Sequence, residues 1–169
     1  MITVRPETAG DEISIREVNE AAFAGPAEAD LVEKLRAAQA ITLSLVAVGG
    51  GRVVGHVLFS PVSLESPGTS LAGLGLGPVA VLPDFQRKGI GCSLIEAGIA
   101  QLRWDGHIYV VVLGHPDYYP RFGFLPASKF GIKCQYDAPP EAFTVIELRE
   151  GALAGCTGIV NYRPEFNEV

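Results

Sequence analysis

The sequence has no surplus of cations and few cysteines, and each shortage removes a class of protein. Across 169 residues, Lys and Arg number 13 against 19 Asp and Glu, a formal charge of −6. A reader of the phosphate backbone needs cations gathered on one face, because its affinity comes largely from released counterions, so nucleic-acid binding is not expected. The three cysteines, Cys92, Cys134 and Cys156, are odd in number and form no CxxC pair. Neither a disulfide framework nor a zinc site follows, no metal is expected, and a reducing, cytoplasmic compartment fits. The longest nearly continuous apolar stretch, residues 108–113, falls far short of the roughly 18–20 residues that span a bilayer. Residues 1–12 carry acids where a signal peptide has its apolar stretch, so neither a membrane nor an export segment is expected. What remains is 48% hydrophobic and 19% charged, a composition that fills a core and is unlike a disordered chain. At this length it reads as a single domain over residues 1–169.

Residues 2–4 alternate and stop at Pro6, which predicts a short first strand. Asp11 is expected to cap a helix whose apolar face is Ile15, Val18, Ala22 and Phe23, ended by Gly25 and Pro26. A second amphipathic helix is expected from Glu28, with Leu31, Leu35 and Ala38 inward and Glu33, Lys34 and Arg36 outward. Two Val- and Leu-rich runs, 42–48 and 52–64, are divided by Gly49, Gly50 and Gly51, a hairpin signal because glycine accepts positive φ cheaply. After a turn at 66–69, residues 71–82 predict a long strand that bends where Gly73, Gly75, Gly77 and Pro78 interrupt it. Leu94, Ile95, Ile99 and Leu102 then recur at helical spacing within 90–103. Residues 108–113 read as a buried strand, 118–122 as a turn or short helix before Gly123, and 143–148 and 158–162 as later strands. The stretch 128–140 reads as loop.

The chemistry concentrates at the switch from strand to helix period, where a buried strand ending at Val81 feeds Gln86, Arg87, Lys88, Gly89, Ile90 and Gly91. The first N–H groups of a helix lack internal partners and, with the macrodipole, attract anions. Gly89 and Gly91 admit a close backbone approach, and Arg87 and Lys88 add positive charge, so the loop suits a pyrophosphate. It is neither a P-loop, which needs GxxxxGK[ST], nor a dinucleotide fingerprint, which needs GxGxxG in a βαβ unit. The alternating Gly73, Gly75 and Gly77 lie inside a strand and read as strand bending.

The run Gln86-x-x-Gly89-x-Gly91 after a strand resembles the acetyl-CoA signature of the GNAT superfamily of N-acetyltransferases. The resemblance extends to the first strand at residues 2–6, to the order of helices and hairpin, and to Tyr119-Pro-Arg-Phe-Gly-Phe124. Residues 28–36, 114–124 and 147–155 are similar to the YhbS-like branch, so the likeness covers nearly the whole chain. It implies an α/β fold with a mixed, splayed β-sheet flanked by helices. It also implies that acetyl-CoA is the cosubstrate. The backbone of Val79, Ala80 and Val81 would run along the pantetheine arm, which enters where this strand splays from that at 108–113. Arg87, Lys88, Gly89, Ile90, Gly91 and Cys92 would wrap the pyrophosphate, with Gln86 opening the loop.

In the family, a neutral amine attacks the thioester carbonyl directly and coenzyme A leaves as thiolate. Tyr119 matches the general acid that protonates the sulfur, with Tyr118 the alternative register. The general base stays open among Glu65, His56, His115 and a water-relayed path. Cys92, at a helix N-terminus, reads as a small residue beside the pyrophosphate rather than a nucleophile, because no histidine partner lies in the motif. Trp104 is expected to close the end of its helix, and Asp30 and Glu33 to be solvated surface. The acceptor is an amine of unassigned identity, and a homodimer is possible. The rival readings are a non-catalytic acyl-CoA sensor and an acyltransferase for longer acyl chains. A nicotinamide dehydrogenase is disfavoured by the missing fingerprint.

Overall fold

Gly50 and Gly51, with φ of 60° and 76°, turn the chain between β2 (Leu43–Gly49) and β3 (Arg52–Ser66) in the computed structural model, which describes residues 1–168. Both turn positions lie where an L side chain is strained, so the glycine run sets the hairpin register with Gly49 opposite Arg52. A bulge follows between Ala47 and Val48. β1 (Ile2–Pro6) adds antiparallel to β2, from Ile2 opposite Gly49 to Pro6 opposite Leu45.

These strands belong to the first of two compact units into which the chain divides: Met1–Ser60, Gly77–Gln101 and the segment from Pro164. The unit is layered. On one sheet face, Ile15 and Val18 of α1 (Glu12–Phe23) and Leu31, Val32 and Leu35 of α2 (Ala27–Ala37) bury against Val46, Leu58 and Ala80. Burial of such a side chain contributes about 1.5–3 kcal/mol, which is what holds these short helices. On the other face, α3 (Ile90–Trp104) sets Ile90 and Leu94 against Gly55, and Phe59 against Gly98. Asp11 holds the N-cap position of α1, yet its carboxylate makes no cap bond there. It instead accepts from the Thr8 N–H (2.7 Å) and from Arg5 Nη1 (2.7 Å), so the expected cap is an ion-paired tie to β1.

The second unit comprises Pro61–Leu76 and Leu102–Arg163. It holds the far part of β3, the first part of β4 (Thr69–Val81), and β5 (Tyr109–Leu113), β6 (Leu125–Pro126), β7 (Ile132–Cys134), β8 (Phe143–Glu147) and β9 (Gly158–Asn161). β4 and β5 are parallel, β5 and β8 and then β8 and β6 antiparallel, β9 antiparallel to β3 and parallel to β7. The sheet is therefore mixed. Its core gathers Val62, Leu64, Tyr109, Val111, Phe143, Val145 and Val160. The stretch expected as loop, 128–140, contains β7, whose pairing to β9 is invisible to local pattern because it spans only three residues. The two-residue β6 escapes sequence reading for the same reason.

Among the described residues, β4 pairs with β5 at Leu74 opposite Val110 and Gly75 opposite Val111 and at no further position. Of the three alternating glycines only Gly77 has positive φ (146°). Gly73 and Gly75 do something else: a Cβ at either position would meet an aromatic ring, Tyr109 over Gly73 and Tyr162 over Gly75. The expected bend thus reduces to one residue, and the other two glycines admit side chains from distant strands.

Candidate active site

The junction between β4 and α3 is built within the first unit. Ala80 is buried, Val79 and Val81 half-buried, and the Leu82 N–H donates to the Val54 carbonyl at 2.9 Å, tying the strand end to the hairpin. A 3-10 turn over Pro83–Phe85 follows. Gln86 then folds back, its Nε2 donating to the Val81 carbonyl at 2.9 Å. Gln86 therefore closes the loop onto the strand that precedes it.

Arg87 has φ of 62° and Gly89 of 81°, two left-handed residues that reverse the chain before the helix. Nothing lies within 4 Å of a Cβ placed at Gly89, so its requirement is conformational and the space before it is open. The Lys88 ammonium stands 5.4 Å from the Phe85 ring centroid, a cation–π contact that steadies an exposed side chain. Helical bonding begins with the Ser93 N–H donating to the Gly89 carbonyl at 3.0 Å, so the amides of Ile90 and Gly91 lie ahead of it. Ile90 is buried against Gly55 and anchors the first turn, while Gly91 and Cys92 are half-buried beside it. Helix amides, a left-handed glycine and two exposed cations on one short loop are the chemistry of an anion site.

Tyr119 belongs to the second unit, in a 3-10 turn over Tyr119–Phe122 that Gly123 ends with φ of 100°. Its ring lies over Gly114, 2.6 Å from where a Cβ would stand, and meets Phe124 edge-on at 5.7 Å and Tyr118 at 5.1 Å. Burial pushes its phenol pKa up, so at neutral pH it holds its proton. Tyr118 is placed differently: Arg121 stacks on its ring at 4.4 Å and donates from Nε to its carbonyl at 2.8 Å.

The three base candidates fare unequally. His56 is fully buried, with Nδ1 3.1 Å from Asn19 Nδ2 and Nε2 2.9 Å from Ser44 Oγ. Because Asn19 Nδ2 is a donor, Nδ1 accepts and Nε2 carries the hydrogen; burial, then the charge of Arg36, lowers the pKa to about 3. A ring so enclosed takes no proton from a substrate, and His56 is a core residue. Glu65 is exposed and accepts from the Ser63 and Ser70 hydroxyls, which hold its carboxyl below the usual range and weaken it as a base. His115 is exposed and its Nδ1 accepts from the Asp117 N–H at 3.3 Å.

Asp30 and Glu33 both pair with Arg16, at 2.9 Å each, so one cation serves both carboxylates and the pair keeps a net negative charge. Trp104 ends α3 but is 88% exposed, and closes nothing over the helix. Among the described residues, no group of three or more His, Cys, Asp or Glu is placed to hold a metal ion, none of the cysteines is in a disulfide, and no helix is long and apolar enough to cross a membrane. Sequence reasoning did not foresee that Tyr162, half-buried, packs its ring on Gly75. Its signal was the glycine alternation within a strand, which marks close approach without naming what approaches.

Residues 3–127 match the family model described as an acetyltransferase (GNAT) domain. The chain is 37% identical over 165 residues to the uncharacterized N-acetyltransferase YhbS of Escherichia coli K12, covering 97% of this chain and 98% of that protein. The crystal structure of E. coli YhbS in complex with CoA superposes with a TM-score of 0.93 at 36% identity, over 98% of this chain and 92% of that one. A GNAT-family acetyltransferase from Brucella melitensis in complex with acetyl-CoA gives a TM-score of 0.81 at 39% identity, over 98% of each chain. The mixed sheet flanked by helices is the fold of these proteins. Likeness of this extent, on top of the strand, loop and helix just described, establishes that the chain belongs to the GNAT family and is an acetyltransferase.

Proposed function

We propose that the chain, acting as one GNAT domain, transfers the acetyl group of acetyl-CoA directly to an amine. The observation that carries this is the loop at Gly89, left-handed and facing open space at the start of α3 with Arg87 and Lys88 exposed beside it. The related proteins crystallised with CoA and acetyl-CoA support the same cosubstrate. In this reading the pyrophosphate lies against the amides of Ile90, Gly91 and Cys92 and the side chains of Arg87 and Lys88. The pantetheine arm lies along the backbone of Val79, Ala80 and Val81, and Gln86 shapes the loop through its bond to Val81.

The neutral amine attacks the carbonyl carbon, the C–N bond forms and the C–S bond breaks. A backbone N–H among Val79–Val81 aimed at the developing oxyanion would contribute about 3–4 kcal/mol. Tyr119, kept protonated by burial, gives its proton to the departing thiolate. With His56 enclosed and Glu65 weakened, the proton lost by the amine goes to water or to the exposed His115. Three cysteines outside any disulfide accord with a cytoplasmic setting.

Calorimetric titration with acetyl-CoA, CoA and NADH tests the cosubstrate. Saturable binding of the first two and none of NADH is expected, and Gly89→Asp, which puts a carboxylate before the diphosphate, is expected to abolish it in a folded protein. Absence of acetyl-CoA binding at millimolar concentration would end the reading. Thiol release across an amine panel then separates an enzyme from an acyl-CoA sensor, and propionyl- and longer acyl-CoA test the chain length.

A further inference from the structure

Arg5, Arg16 and Arg36 each place their guanidinium on a carboxylate, of Asp11, Asp30 and Glu7 respectively. Arg121 does not. Its Nε donates to the Tyr118 carbonyl at 2.8 Å and its guanidinium carbon stands 4.4 Å from the centroid of the Tyr118 ring, so one neighbour fixes the group twice. Among the described residues no carboxylate pairs with it, Asp117 of the same segment included, and Arg121 is exposed. The Nη1 and Nη2 edge, four of the five N–H donors, faces no protein partner.

Rings set the place of this cation. Tyr118 meets Tyr119 at 5.1 Å and Phe122 at 5.4 Å, around the 3-10 turn that Gly123 ends. The guanidinium thus rests on an aromatic wall whose next member is Tyr119. Packing on that wall would be met by any long side chain. A planar guanidinium held in advance by stacking and one hydrogen bond presents its remaining donors as a fork, which takes a carboxylate through two parallel N–H···O bonds. Because the side chain is already ordered, less freedom is lost on binding.

In acetyl transfer two partners can bring an anion. The phosphates of acetyl-CoA are separated from its sulfur by the whole pantetheine arm, and Arg87 and Lys88 face them in the reading above. Tyr119 serves the sulfur, where the amine arrives, so an anion beside its ring wall is one that the amine carries. We propose that Arg121 is a specificity-determining residue that binds a carboxylate on the acceptor, so that the enzyme acts on amino acids or similar acid-bearing amines. This rests on the acetyl-transfer reading and on the role proposed for Tyr119. The pairing also helps the chemistry. A free carboxylate favours the ammonium form of its own molecule, and the guanidinium offsets that, leaving more of the neutral amine that attacks.

Matched amines that differ only by a carboxylate test this: L-lysine against cadaverine and β-alanine against ethylamine, each followed by thiol release from acetyl-CoA. The wild type is expected to favour the carboxylated member in kcat/KM by about tenfold or more, chiefly through KM. Arg121→Gln is expected to bring the two members level, and Arg121→Lys, which keeps the charge without the fork, to recover only part of the preference. Calorimetric titration of the same variants with acetyl-CoA is expected to match the wild type and shows that they are folded. If Arg121→Gln weakens acetyl-CoA but not its 3′-dephospho analogue, the guanidinium serves a phosphate of the cosubstrate and the proposal falls. It falls equally if the wild type, with acetyl-CoA bound, acetylates no carboxylated amine faster than its partner. Failure of the wild type to bind acetyl-CoA, seen before any amine is added, would instead remove the acetyl-transfer reading and this proposal with it.

Discussion

Burial keeps Tyr119 and His56 neutral by opposite shifts, raising the phenol and lowering the imidazole, and the consequences for the protein are different. For Tyr119 the neutral form is the useful one. Tyr119→Phe retains the edge-on contact with Phe124 and loses only the proton, so kcat is expected to fall about 100-fold or more with little change in acetyl-CoA affinity. Should Tyr118→Phe show that loss instead, the acid is the neighbouring residue. For His56 the neutral form is a liability in acid. The unfolded chain binds a proton near pH 6.5 that the folded chain refuses down to about 3, so stability declines as pH falls through that window. Denaturant unfolding at pH 7 and at pH 5 is expected to show the decline, and His56→Gln to flatten it. Asp11, held low by Arg5, contributes its own loss only below its unfolded value of 3.8, outside that comparison. The sequence placed His56 on a strand but left it among the possible bases, because exposure is not a property of the strand on which a histidine lies.

At the scale of elements, α3 both presents the loop and packs on the hairpin, and Gly98 shows which requirement dominates. Alanine is the better helix former by about 1 kcal/mol. A Cβ at Gly98 would nevertheless run into the Phe59 ring, and overpacking a core typically costs about 1–3 kcal/mol. Gly98→Ala is therefore expected to lower the thermal midpoint by several degrees, and a rise would mean that Phe59 moves freely. Elements with a strong local signal were legible. The glycine-divided hairpin, the three helices and the buried β5 stand within a few residues of their expected limits, since periodicity and turn chemistry act over a handful of neighbours. β6 and β7 were not, because strands of two and three residues exist only through their partners β8 and β9. The Gln86–Gly91 loop was legible for the first reason, its left-handed glycine being a local demand.

For the molecule as a whole, a ligand that binds only the folded chain stabilises it by mass action, about 2.7 kcal/mol at 100 times its Kd. Acetyl-CoA is expected to raise the thermal midpoint of the wild type and to leave that of Gly89→Asp unmoved, measured by calorimetric scanning. An equal rise in both would place the cosubstrate elsewhere. By itself the sequence determined the order of the helices and longer strands, the family, the loop that suits a pyrophosphate and the segment that carries Tyr119, because each is written in contiguous residues with φ, charge or periodicity requirements of their own. Tertiary structure alone decided that Gly73 and Gly75 receive the rings of Tyr109 and Tyr162, that His56 is enclosed by Asn19 and Ser44, that Asp11 pairs with Arg5, and that β7 lies on β9. The physical reason is common to all of these: space, burial and pairing belong to residues far apart in the chain, and no local pattern encodes which partner arrives.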